Sequence, residues 1–300
     1  MPINTGNFVK ALWPGVNEWY GKVYDEWKTE WTDLFESYTS RRAWEEDVGF
    51  SGFGLLAQKP EGQPTSYDTA RQGFVTRFTH AVYSLGFIIT KEMVDDDLYD
   101  TIGKSRAESL AFSARQTKEI LGANVYNRAF TAGYTGGDGK TLIASDHPNV
   151  AGGTYSNKPS VDVDISESAL EQATIDIQKL KNDRGLRVRI VPKSIHIHVD
   201  NDYEVNKIMR TEYEVGTANN TVNLVRSRFP GGVKINHYFS DSDAWFIRTD
   251  VRNGMKYFSR QDDVFDSDDD FDTNNAKFKV YFRCSWGWTD PRCMYGCAGS

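Results

Sequence analysis

A basic surplus, long apolar runs and paired cysteines are all missing from this 300-residue chain. Its 35 Lys and Arg against 42 Asp and Glu leave a formal charge of −7. That is the wrong sign for a protein whose main work is gripping nucleic-acid phosphates, since such proteins displace counterions with a positive surface. Loose contact with DNA stays open, while tight coating does not. No apolar stretch approaches the roughly 20 residues that cross a bilayer. The start, Met1-Pro2-Ile3-Asn4-Thr5-Gly6, lacks the basic and apolar blocks of a secretory signal. The expectation is a soluble protein made in cytoplasm, with no membrane partner. Cys284, Cys293 and Cys297 are an odd set near the C-terminus, which fits free thiols in a reducing compartment better than a disulfide framework. Cys293 and Cys297 have no second cysteine-histidine pair nearby, so no structural zinc is expected.

What is present reads as a packed chain: 39% hydrophobic and 26% charged residues lie in the globular range. Three hundred residues exceed the roughly 100 to 200 of a usual domain, so two sub-domains are expected. Five of the eight tryptophans precede Phe50. Trp19, Val23, Trp27 and Trp31 recur every four residues and Leu34 follows, which predicts an amphipathic helix with Lys22, Asp25, Lys28 and Asp33 turned away. Such a stripe packs either on its own subunit's core or, as an extended arm, on a neighbouring chain.

Two β-rich runs then flank a turn. Phe53-Gly54-Leu55-Leu56-Ala57 leads into Lys59-Pro60-Glu61-Gly62-Gln63-Pro64, and the return run is Gly73 to Tyr83. Neither face of the return run is consistently apolar, and two strands alone are marginal in water, so this ribbon needs something to lie upon. Thr90 can cap a helix whose apolar series is Val94, Leu98, Ile102, Ala107, Leu110, Ala111, Ala114, Leu121, Val125 and Ala129. Unbroken from Lys91 to Ala132 it would be on the order of 60 Å long, which predicts an elongated subunit. A kink at Gly103 or Gly122 is the competing reading. Gly133 to Gly139 is an exposed loop by composition. Beyond it Ser166 can cap a helix with Leu170, Ala173, Ile177 and Leu180, followed by strands at Leu186 to Val191 and Ser194 to Val199 and a short helix around Tyr203 and Ile208. From Val222 the pattern is mostly β, with runs at Gly232 to Tyr238, Ala244 to Thr249, Met255 to Ser259 and Ala276 to Trp286.

No convincing active site emerges. Gly139-Lys140-Thr141 resembles the end of a phosphate loop, but Tyr134 stands where that loop needs glycine, and the segment follows a helix rather than a strand. Asp266, Asp268 and Asp270 begin like a calcium loop, yet Phe271 and Lys277 occupy its glycine and glutamate positions. A solvated acidic loop over Asp262 to Asp272 is the plainer reading. His196, His198 and Asp200 share one face of a strand, read here as its polar outward side rather than as metal ligands. His147 has no nucleophile beside it in sequence. No catalytic residue, cofactor or metal is expected.

An aromatic arm, a ribbon, a very long helix and an α/β region returning to strands, in that order, resemble the HK97-type major capsid proteins of tailed double-stranded DNA phages. More specific are Asp241-Ser242-Asp243-Ala244-Trp245-Phe246, Gly254-Met255-Lys256-Tyr257-Phe258 and Trp286-Gly287-Trp288-Thr289-Asp290-Pro291-Arg292-Cys293-Met294-Tyr295-Gly296. They, and Asp146-His147-Pro148-Asn149, are similar to stretches of phage major head subunits, including the Mu-like branch. The resemblance implies an α+β fold: N-arm (1–49), E-loop ribbon (50–90), peripheral domain with spine helix (91–145), axial domain (146–230), and strands returning to both domains (231–300).

By the same resemblance the chain would form hexamers and pentamers of an icosahedral shell around double-stranded DNA held by loose contact. Its partners would be portal, scaffolding and decoration proteins, and it would reside in the virion. The arm begins almost at Met1, so scaffolding is expected from a separate protein. Lys59 sits where some relatives crosslink, but no partner asparagine or glutamate is identified and no crosslink is expected. The expected assembly contacts are Trp19, Trp27 and Trp31 in the arm, Lys59, Pro60, Glu61, Gly62 and Gln63 at the ribbon tip, the Gly133 to Gly139 loop, and Asp268 and Asp270. The rival readings are an encapsulin-like compartment, or an aromatic-rich carbohydrate-active enzyme with two facing carboxylates.

Overall fold

The computed structural model describes Tyr20 and residues 28–95, 99–213, 221–270 and 275–300. In chain order its elements begin with α1 (Trp31–Leu34), β1 (Glu36–Thr39), β2 (Trp44–Phe50), β3 (Gln72–Thr79) and β4 (Ala81–Ile89). Helices α2 (Lys91–Asp95) and α3 (Tyr99–Asn127) follow, then β5 (His147–Pro148), β6 (Thr154–Tyr155), α4 (Glu167–Lys179), β7 (Pro192–His198) and α5 (Asp202–Arg210). The chain closes with β8 (Val233–Asn236), β9 (Trp245–Thr249), β10 (Met255–Asp269), β11 (Ala276–Trp288) and β12 (Met294–Cys297). Two compact units result. One holds the described residues of Met1–Trp44 with Thr79–Gly122 and Tyr257–Ser285; the other holds Glu45–Phe78, Ala123–Lys256 and Trp286–Ser300.

The first unit is built on a sheet of order β1-β10-β11-β4. Strand β11 runs antiparallel to β4, with Ala276 opposite Ile89 and Cys284 opposite Ala81. Its alternation is period two: Ala276, Phe278, Val280, Phe282 and Cys284 are buried while Lys277 and Lys279 face water. Across the pair Tyr83 stacks on Phe282 at 5.3 Å and Phe87 on Phe278 at 5.0 Å, the contacts that fix sheet register. Helix α3 covers the sheet with Ala107, Leu110, Ala111 and Ala114. It runs through Gly103 and Gly122 without a break and ends at Asn127, five residues short of the expected Ala132. Whether it is continuous with α2 falls on residues 96–98, outside the described ones.

Tyr20 stacks on Phe265 at 4.7 Å, and Trp31 packs on Tyr257 at 4.6 Å, so these two aromatics of the leading segment lie against their own chain. The anchor for that segment is Glu119, whose carboxylate accepts the backbone N–H groups of Glu30 at 3.0 Å and Trp31 at 2.9 Å. These are donors that a helix start leaves unpaired. Burial pushes the Glu119 carboxyl above its ordinary range, and the two N–H groups pull it back down. One residue earlier Lys118 meets Asp263 at 2.7 Å and lies 5.1 Å from the Phe282 ring.

The second unit has a mixed sheet of order β12-β9-β7-β8. Strands β7 and β8 are parallel, whereas β7 with β9 and β9 with β12 are antiparallel. On one face α4 and α5 pack Leu170, Ala173, Ile177, Val205 and Ile208 onto Ile195, Ile197, Trp245 and Ile247. Ser166 caps α4 as the sequence predicts, accepting from the Ala169 N–H. The other face is covered by Tyr126, whose ring meets Phe239 and Phe246 at 5.3 and 5.2 Å.

Three expectations are corrected. His196 does not face outward: it is fully buried, with Tyr126 on its side of β7 and a bond to the Ser194 hydroxyl, because this central strand is covered on both faces. Leu186 to Val191 is not a strand; it holds the isolated Lys181 to Arg187 bridge and, at its end, the Asp250 N–H bond to the Val191 carbonyl. Asp262 to Asp269 is no loop but the second half of β10, with Phe265 turned inward and Asp262, Asp266 and Asp268 outward.

Replacing the Glu119 charge tests the arm anchor. Glu119→Gln keeps one acceptor oxygen but sets its NH2 against the other of the two N–H donors, and is expected to cost about 1.5 to 3 kcal/mol, the worth of hydrogen bonds to a charged group. The check is a lower urea midpoint at unchanged slope.

Candidate assembly surfaces

Buried polar groups come first, since these would carry chemistry if any did. Asp138, His147 and Asn157 form a row, with Asp138 Oδ2 at 2.6 Å from His147 Nδ1 and Asn157 Oδ1 at 3.2 Å from His147 Nε2. Acid–histidine rows orient bases in hydrolases. Here His147 and Asn157 are fully buried. Asn157 is already committed: it accepts from the Ala144 N–H and donates to the carbonyls of Leu142, Pro291 and Met294. The row therefore ends on a bonded amide rather than a nucleophile, and it knots the 138–157 segment to the C-terminal strand. Arg292 completes the knot, reaching Asp183 and Asn149 at 2.7 and 2.8 Å and lying 4.2 Å from the Tyr155 ring.

The phosphate-loop look-alike is also occupied by its own backbone. Gly136 N–H bonds the Lys140 carbonyl, Gly139 N–H the Gly136 carbonyl, and Lys140 N–H the Asp138 carboxylate. Gly137 lies so close to β3 that a Cβ would stand 2.6 Å from the Val75 carbonyl oxygen. The Gly133 to Gly139 segment is thus exposed at Gly133 to Thr135 and again at Gly139, and half-buried at Gly136 to Asp138. His198 accepts from the Asp200 N–H, and no cluster of three or more His, Cys, Asp or Glu groups suited to a metal occurs among the described residues.

The exposed surface behaves differently. Strands β2 and β3 pair as a two-stranded ribbon, but the first strand is Trp44–Phe50, not the expected Phe53 to Ala57. Residues 51–71 instead form a loop without strand, turning at Glu61-Gly62, where Gln63 N–H meets the Pro60 carbonyl. Lys59, Pro60, Glu61, Gly62 and Gln63 are all exposed at that turn. The same loop holds Phe53 65%, Leu55 83%, Leu56 100% and Tyr67 94% exposed. No fold requirement keeps such side chains in water, and large apolar groups exposed together on one loop make it a candidate interaction surface. Other exposed apolar groups are Val82, Leu85 and Ile88 on β4, and Tyr203, Tyr213, Val222 and Leu224 in the second unit.

The remaining expected contacts are placed as follows. Trp19 and Trp27 lie outside the described residues. Trp31 is half-buried on Tyr257. Asp268 faces outward on β10, and Asp270 pairs with Lys277 at 2.7 Å.

Sequence reading missed the loop's neck. Ser51 and Arg71 bond each other through backbone and hydroxyl. Asp68 accepts from the Gly54 and Thr69 N–H groups, each at 2.8 Å. Arg184 then reaches the Gly52 carbonyl at 3.0 Å, Asp68 at 3.2 Å and the Thr69 carbonyl. The signal in the sequence was Asn182-Asp183-Arg184-Gly185, a turn composition that presents an arginine.

With these surfaces in view, the structural likenesses fall into one class. Over 99% of this chain and 77% of that one, the structure resembles a chain of the procapsid of bacteriophage JBD30 (TM-score 0.54, 13% identity). It resembles a Microbacterium phage Oxtober96 chain over 91% of each (TM-score 0.55, 8% identity). It also resembles the virus-like particle from Pyrococcus furiosus over 95% of this chain and 98% of that one (TM-score 0.55, 10% identity). No curated protein matches the sequence significantly. The fold is the HK97-type capsid fold, mixed helix and sheet. The family described as "Phage capsid protein" matches residues 74–296, and the chain belongs to that family: it is a major capsid protein, a component of the virion shell. Among the described residues no helix is long and apolar enough to cross a membrane.

The neck has a pH signature. The Gly54 and Thr69 N–H groups, and after them Arg184, hold the Asp68 carboxyl below its usual range. A lowered folded value means that the bonds are complete above the ordinary carboxylate pKa of about 4 and are lost only as pH falls through the lower one. A carboxyl NMR titration of Asp68 should find a midpoint below that of an exposed aspartate. Arg184→Ala should raise it only part of the way, because the backbone donors remain.

Proposed function

We propose that this chain assembles as hexamers and pentamers into a closed icosahedral head around double-stranded DNA, with residues 51–71 serving as the E-loop laid on a neighbouring copy. The observation that carries the reading is the exposed row Phe53, Leu55, Leu56 and Tyr67. Burying four such side chains is worth about 6 to 12 kcal/mol at roughly 1.5 to 3 kcal/mol each. Association costs about 4 to 15 kcal/mol in lost freedom, so one loop contact barely holds a pair and a closed ring of copies holds firmly. The net charge of −7 supports a container that touches its DNA loosely. Portal, scaffolding and decoration proteins are its expected partners, with synthesis in the host cytoplasm. The subunit works by packing rather than catalysis, in keeping with a His147 row that is sealed and fully bonded.

The likeness to a virus-like particle favours one second reading, an encapsulin-like shell enclosing protein. Nuclease-protected DNA inside purified particles supports the head, whereas protein cargo in its place supports the compartment.

Leu56→Asp is expected to leave a soluble, folded subunit, because Leu56 is fully exposed, and to lower the yield of closed particles several-fold in sedimentation and electron microscopy. Unchanged yields would remove the loop from the assembly surface.

A further inference from the structure

The apolar side chains on the limbs of the 51–71 loop are useful only if the loop runs in a fixed direction. Beyond the neck the described hydrogen bonding is a single turn, Gln63 N–H to the Pro60 carbonyl, so direction has to be set at the base. The two limbs are tied there by the Ser51 and Arg71 bonds and by Asp68, which gathers the Gly54 and Thr69 N–H groups. These bonds join limb to limb and do not join the loop to anything else. Arg184 does. It donates through Nε to the Gly52 carbonyl on one limb, and through Nη2 to Asp68 and the Thr69 carbonyl on the other. A planar guanidinium presents several donors in a fixed fork, which lets one side chain hold two strands at a set angle.

The arginine is itself held. Its turn is closed by Asn182, whose side-chain oxygen accepts the Arg184 and Leu186 N–H groups at 3.0 and 2.9 Å. Gly185 supplies the positive φ of 77° that the turn requires. The residue before Arg184, Asp183, is bonded to the buried Arg292 at 2.7 Å, and Arg292 also donates to the Lys181 carbonyl at 3.0 Å. The turn is therefore fastened to the interior on one side and to the loop on the other.

We propose that Arg184 is a positioning residue which, from the Asn182–Leu186 turn, clamps both limbs of the 51–71 loop and sets the direction in which its exposed apolar side chains are offered to a second copy of this chain. The structural half stands on the contacts of the single chain, and the assembly half rests on the shell function proposed above. Lysine cannot replace it, since one ammonium cannot span the Gly52 and Thr69 carbonyls as a fork does.

The test is hydrogen exchange on the isolated subunit together with particle yield for the parent chain, Arg184→Ala, Arg184→Lys, Asp68→Ala and the double variant Arg184→Ala/Asp68→Ala. In each variant exchange at Gly54 and Thr69 should rise about tenfold, the loss of a charge-assisted bond from a local opening, while β7 amides keep the parent's protection and show that the fold is intact. The double variant should fall no further than the singles, because the two residues act in one network. Closed particles should drop several-fold in every case. Parental exchange at Gly54 and Thr69 in Arg184→Ala overturns the clamp. Faster exchange with undiminished particle yield overturns its role in assembly. Should the parent chain itself close no shells, the function fails instead, and the exchange data still decide the clamp.

Discussion

Burial of apolar surface is not finished within one chain of this protein. Among the described residues of the leading segment, Tyr20 packs on Phe265, Trp31 on Tyr257, and the start of α1 on the Glu119 carboxylate. The 51–71 loop instead holds Phe53, Leu55, Leu56 and Tyr67 in water and is fastened at its base by Arg184. On the proposed assembly, burying these side chains against a second copy supplies the hydrophobic drive that the single chain leaves unused.

The polar interior serves the same end by making each unit firm. The Asp138, His147 and Asn157 row and the Arg292 hub are bonded internally, and Lys118 pairs with one oxygen of Asp263; together they hold segments far apart in sequence. Buried networks of this kind are strong when complete and costly when broken. A subunit whose docking loop must keep its direction gains from a base that does not yield. The acidic run is used in the same way: Asp263 pairs inward while Asp266 and Asp268 alternate outward along β10.

Much of this architecture was readable from local pattern. The α4 cap at Ser166, the amphipathic face of α5 and the period-two run of β11 follow from spacing alone, and the C-terminal phrases pointed to the capsid family. The failures share a physical cause. Aspartate is depleted in strands, so Asp262 to Asp269 read as a loop, and its strand state comes from pairing with β11 rather than from its own preference. His196 read as outward because a single strand does not announce that Tyr126 will cover its second face. Phe53 to Ala57 read as a strand because the residues favour one, yet the pairing partner of β3 is Trp44–Phe50. The Arg184 clamp joins positions 116 residues apart from Asp68, a distance that no local periodicity spans.

The most direct measurement is the reactivity of a thiol on the first limb of the loop. The native cysteines Cys284, Cys293 and Cys297 are all buried, so maleimide added to a Leu56→Cys chain reports on position 56 with little background. The account predicts rapid labelling of the free subunit and strong protection in closed particles. Equal labelling rates in subunit and particle would contradict it.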